Sequence, residues 1–146
     1  MANLSALETL IDLAQKDSDA FAKRLGAAVK AVEDAEQKLQ MLLDYRDDYA
    51  NKLDAAQMNG ITPFAYRNFV AFLEKLETAI NGQREVLKHA QAKAEKERKG
   101  LQESERKRLS YRTLNDRAAA QALAVETKRD QKMMDDFAAR TARHKQ

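Results

Sequence analysis

The chain has 146 residues, 26 of them Lys or Arg and 23 Asp or Glu, and a formal charge of +3 is too slight a bias to mark a nucleic-acid binder. It has no cysteine, which excludes disulfides and thiolate metal sites. With 34% charged residues, 6% aromatics and a mean hydropathy of −0.70, it is too polar for an ordinary globular core, yet its Leu, Ile, Val and Ala recur too regularly for disorder.

One proline and four glycines among so many Ala, Leu, Glu, Lys, Gln and Arg predict a few very long helices. No apolar run approaches the roughly 20 residues that span a bilayer. Met1-Ala2-Asn3-Leu4 lacks the basic and apolar stretches of a signal peptide. The expectation is a soluble, cytoplasmic, all-α protein forming one domain over residues 1–146.

The first helix is expected over about residues 5–57. Ser5 and Glu8 have capping-box spacing, each side chain able to satisfy a free backbone N–H at a helix start. A strict heptad follows. Leu4, Ile11, Ser18, Leu25, Val32, Leu39, Arg46 and Leu53 fall at a, and Leu7, Ala14, Phe21, Ala28, Ala35, Leu42, Tyr49 and Ala56 at d. A 3.5-residue repeat this long predicts a left-handed coiled coil.

The pattern stops at residues 58–63, Met-Asn-Gly-Ile-Thr-Pro. Gly60 suits a left-handed C-cap, Thr62 can cap the next helix, and Pro63 fits its first position, where no N–H is needed. The hairpin turn belongs here.

A second helix is expected over about residues 64–142. Phe69, Leu76, Gln83, Ala90, Glu97, Ser104, Tyr111 and Ala118 fall at d, and Leu73, Ile80, Leu87, Ala94, Leu101, Arg108 and Asn115 at a. Folding at the turn sets Tyr49 against Leu73, Leu42 against Ile80, Ala35 against Leu87, Phe21 against Leu101, and Ser18 against Ser104. Each a residue then opposes a d residue, as an antiparallel pair requires. The fold class is therefore two long helices in an antiparallel coiled-coil hairpin, monomeric when free. Gly82 and Gly100 each cost the second helix about 1 kcal/mol relative to Ala, and the half far from the turn should fray first. The arms are unequal, roughly 75–80 Å against roughly 120 Å by helix rise. Residues 119–146 form an overhang without a partner in the chain.

Candidate sites are few. His89 and His144 stand alone, no phosphate-binding glycine loop is present, and Asp47-Asp48 and Asp135-Asp136 read as solvated helix faces. No catalytic residue, cofactor or metal is expected. The basic stretch Lys93–Arg112 is interleaved with Glu95, Glu97, Glu103 and Glu105. It reads either as a face of i,i+4 ion pairs or as a surface for an acidic partner or anionic headgroups. It lacks the aromatic interleaving of a nucleic-acid site. Phe72 and Ala79 lie beside the seam and form a second stripe with Leu76, so Phe72 either widens the core or meets a partner. In the overhang, Leu123, Val125, Met133, Met134 and Phe137 are apolar with nothing in the chain to cover them, which points to docking on another protein.

Four blocks carry a resemblance: Ala6-Leu7-Glu8-Thr9-Leu10, the run from Leu39 to Tyr49, Asn59-Gly60-Ile61, and Asp130-Gln131-Lys132 with Met134-Asp135 and Phe137-Ala138. In this order and at this length, the chain resembles the flagellar export protein FliJ family, nearly end to end. The resemblance implies a non-enzymatic component of the flagellar type III export apparatus, similar to the central stalk subunit of rotary ATPases. It implies as partners the hexameric export ATPase, the membrane export gate and export chaperones, and a place at the inner membrane through them. The family's gate contact matches Phe72, Leu76 and Ala79, with Gln83 where the family can carry His. The overhang residues Leu123, Val125, Met133, Met134 and Phe137 would then enter the ATPase ring, with the gate surface toward the other end of the second helix. Two other readings stand beside this one. The first is an escort that recycles export chaperones or protects export substrates; the second is a basic coiled coil that binds nucleic acid.

Overall fold

The computed structural model describes residues 2–145, with side chains from residue 5 onward. Two helices account for nearly all of it: α1, Ala2–Asn59, and α2, Pro63–His144. α1 starts earlier than the capping-box spacing predicts. Ser5 lies inside the helix, and its carbonyl accepts a bond from Thr9 Oγ1 at 3.0 Å, so it is not an N-cap. A cap contributes about 1 kcal/mol, and Ala2-Asn3-Leu4 contains no breaker to stop the helix from propagating past it. The seam position of Leu4 lies outside the described side chains.

The turn follows the chemistry of its residues. Gly60 takes φ +87°, a conformation that disfavours any side chain, and its N–H donates to the Gln57 carbonyl at 3.4 Å. Thr62 caps α2 with its side chain, accepting from the Ala65 N–H at 3.1 Å, and its carbonyl accepts from the Tyr66 N–H at 2.9 Å. Pro63 is the first helical residue, as its missing N–H allows.

The two helices pack as an antiparallel coiled-coil hairpin, with contacts grouped into two units. One comprises Ala20–Leu101 and contains the turn. Its buried apolar residues are Ala28, Ala35, Leu76, Ile80 and Ala94. The other comprises Met1–Asp19 and Gln102–Gln146, and its buried residues are Ala14, Ser18 and Ser104. From Leu7 to Ala118, every predicted a and d position is buried or half-buried. That period-3.5 match ties the sequence pattern to the packing.

Several polar side chains at the seam find partners, while Ser18 Oγ and Asn115 Oδ1 are buried without a well-formed hydrogen bond. Arg46 reaches out to Glu77 at 3.5 Å and Asp47 at 3.6 Å. Glu97 is paired with Arg24 at 3.1 Å, and the same guanidinium lies 4.4 Å from the centroid of the Phe21 ring. Gln83 donates to the Ala35 carbonyl across the seam at 3.2 Å. The Phe21 ring lies on Gly100, the neighbour of its predicted partner Leu101. A Cβ on Gly100 would overlap it. Gly100 is thus a slot for an aromatic ring, and its helix-propensity cost is offset by that contact.

Candidate interaction surfaces

Two surfaces follow from the hairpin, one in each unit. In the turn-containing unit, Phe72 is half-buried at the edge of the seam. Its ring centroid lies 4.4 Å from that of Tyr49 and 6.1 Å from that of Tyr45, and Tyr49 also meets Phe69 at 5.0 Å. These tilted contacts add modestly to simple burial. Phe72 widens the core through its contact with Tyr49 and keeps an accessible edge. Leu76 is 7% exposed and belongs to the core. Ala79 is exposed, and Gln83 is engaged with Ala35. Of the four residues expected at a gate contact, Phe72 and Ala79 are accessible at the surface, while Leu76 supports them from beneath.

Sequence reasoning missed Tyr45. It is 54% exposed and extends the aromatic edge of Phe72 onto α1. An open groove beside it is lined by Gln37, Gln40, Met41, Asp44, Tyr45 and Asp48. Tyr45 sits one helical turn before the seam residue Tyr49, and the hairpin register brings that turn to Phe72. The spacing could have revealed it.

The second surface is the overhang. Every described residue after Ala118 is exposed although α2 continues to His144. Leu123, Met133, Met134 and Phe137 are all at least 65% exposed. At about 100° per residue they share a sector about 100° wide. Val125 falls outside that sector, on the side carrying Lys128 and Lys132, so the five residues do not form one face. Glu126 and Asp130 lie within the apolar sector. The overhang thus has an apolar-acidic face and a basic face.

At the base of the overhang, Ala6, Leu7 and Leu10 of α1 line an open groove with Leu114, Arg117, Ala118 and Gln121 of α2. Nearby, Arg108 binds Glu105 at 2.6 Å and holds its carboxyl below the usual value of 4.5. Of the basic stretch, Arg98 pairs with Glu95 at 3.4 Å, and Arg108 and Glu97 are paired as above. Among the described residues no three His, Asp or Glu side chains gather at a metal-binding spacing, and no helix is long and apolar enough to cross a membrane.

The surfaces and the fold define an antiparallel coiled-coil hairpin whose second helix outruns the first. The model of the flagellar FliJ protein family matches residues 3–146. The flagellar FliJ protein of Salmonella typhi is 39% identical, and that of Escherichia coli K12 36% identical, each alignment covering 99% of both chains. A proposed YscO homolog from Chlamydia trachomatis shares the fold, with a TM-score of 0.51 and 18% identity over 92% of this chain and 88% of that one. The chain belongs to the flagellar FliJ family, a family of type III export components.

Proposed function

We propose that this protein is a stalk-like, non-catalytic component that binds the hexameric flagellar export ATPase through its overhang and meets the membrane export gate through the Phe72 edge. The supporting observation is the overhang itself, a helix continuing beyond its partner with Leu123, Met133, Met134 and Phe137 in solvent. A monomer has no reason to leave so much apolar surface uncovered, and a ring pore could desolvate it. Action on the ATPase would come from binding some subunit states better than others, with no chemistry on the stalk. The aromatic edge of Phe72, Tyr45 and Tyr49 offers a separate surface for the gate.

The test is titration of full-length protein, and of protein lacking residues 119–146, into the purified ATPase, following hydrolysis and ring formation. The truncation removes no seam layer, so the hairpin should keep its helical signal while stimulation is lost. Undiminished stimulation by the truncated protein would move the contact elsewhere. In parallel, Phe72→Ala should weaken binding to the gate component. Unchanged gate affinity would leave Phe72 a purely structural residue.

A further inference from the structure

The hairpin tip stands apart from both surfaces. From Ala55 to Tyr66, twelve consecutive residues carry no charge, in a chain whose residues are 34% charged. No other uncharged run in the sequence is as long. The run covers the last turn of α1, the three-residue connection and the first turn of α2. Its large side chains turn outward: Met58 is 91% exposed, Phe64 69% and Tyr66 42%. Neither the seam nor the two partner surfaces uses them.

We propose that this tip inserts directly into the interfacial layer of a lipid bilayer. The contact is distinct from membrane association through partner proteins, and it stands independently of the ATPase and gate readings. Depth is the first argument. Counting back from Met58, the first charge on α1 is Asp54; counting on from Phe64, the first on α2 is Arg67. At the rise of a helix these lie about 5–6 Å behind the tip. Interfacial apolar segments bury to about 5–10 Å, so the charge-free cap is as deep as the layer it would enter. Composition is the second argument. Met58 and Phe64 supply the apolar end, and Tyr66 stands about half a turn behind Phe64, where its ring and hydroxyl suit the headgroup boundary. Charge is the third. Lys52 and Arg67 outnumber Asp54 just behind the cap, a bias that favours anionic headgroups. The turn would go in with the cap, and its carbonyls stay satisfied because the interfacial layer, unlike the hydrocarbon core, still holds water and headgroup donors.

The test is flotation of the purified full-length protein with phosphatidylethanolamine–phosphatidylglycerol vesicles. The expected result is co-flotation of the wild type, with a loss of about tenfold in partitioning for the double substitution Met58→Ser/Phe64→Ser. Circular dichroism should show the variant as helical and as heat-resistant as the wild type, because neither exposed side chain contributes to the seam. The chain has no cysteine, so Asn59→Cys gives a single labelling site. A polarity-sensitive dye there should shift to the blue on vesicles and become shielded from an aqueous quencher. Three results would overturn the proposal. One is wild-type partitioning by the double variant. Another is binding abolished by neutralising Lys96, Lys99 and Arg106 while the dye at the tip stays wet, which would assign lipid to the basic stretch of α2. The third is no vesicle binding by the wild type, with the tip instead protected by a protein partner.

Discussion

Near the turn, Ile80 is fully covered and Tyr49 touches both Phe69 and Phe72. In the other unit the buried positions are Ala14, Ser18 and Ser104, and the Ser18 hydroxyl lies close to the Glu105 carboxylate without a hydrogen bond of good geometry. Both units obey the same heptad. Period alone therefore specifies which residues meet, and the size and polarity of those residues set how firmly they hold. The weakly held unit carries the overhang, so the part proposed to enter the ATPase is also the part with least to lose by opening. Local opening is governed by such differences in buried apolar contact.

The comparison breaks most decisively if core truncation costs the same in both units. Ile80→Ala should lower stability by about 3 kcal/mol, because it empties a fully buried position. Ser18→Ala should change stability by less than about 0.5 kcal/mol, since the weak approach of its hydroxyl to Glu105 is offset by a gain in helix propensity. Urea unfolding followed by circular dichroism measures both. Equal losses would mean that the polar layer near Ser18 holds the hairpin as firmly as the core near the turn.

Much of this architecture was legible in the sequence, and for a specific reason. A heptad is a geometric statement, so the alternation of Leu39, Leu42, Arg46 and Tyr49 located the seam before any contact was known. Gly60, Thr62 and Pro63 located the turn because each satisfies a distinct backbone requirement. What escaped depended on side-chain direction. Ser5 and Glu8 had the spacing of a cap, but the helix simply ran past them. Gly100 looked like a helix defect until the Phe21 ring was seen to need its missing Cβ. Tyr45 joined the aromatic edge only once α2 was laid beside α1. The overhang was legible because no α1 residues remain to face it, whereas the departure of Val125 from its apolar face emerges only when the five residues are placed around the helix.

A finer contrast lies within the turn-containing unit, between its glycines. Gly82 has open space where a side chain would go, whereas Gly100 faces Phe21. Gly82→Ala should stabilise by about 1 kcal/mol through helix propensity. Gly100→Ala gains the same propensity but must push the Phe21 ring off its slot and away from Arg24, an overpacking cost of about 1–3 kcal/mol. The expected net effect is no gain or a loss of about 1 kcal/mol. Thermal unfolding of the two variants side by side distinguishes them. If both stabilise equally, Phe21 adapts freely and the slot has no energetic weight.

The smallest expected effect concerns how the weaker unit responds to acid. Glu105 lies beside Arg108 on α2, and the guanidinium holds its carboxyl below the ordinary 4.5. A carboxylate whose folded-state value is depressed adds stability that is present above its unfolded value and disappears as pH falls through the folded one. The pair should therefore help hold this unit at neutral pH, and its help should fade below about pH 4.5 as the carboxyl takes up a proton. Glu105→Gln keeps an acceptor of similar shape without the charge. Its thermal midpoint should lie slightly below that of the wild type at pH 7, and the two should converge on acidification. Because the pair is accessible to solvent, salt should also narrow the gap at pH 7. Hydrogen exchange at the amides around Ser18 and Ser104, measured in both proteins across this pH range, reports on the unit directly. A gap that persists at pH 3 would mean that Gln disturbs the packing itself, and that the charge of Glu105 does not set the strength of this layer.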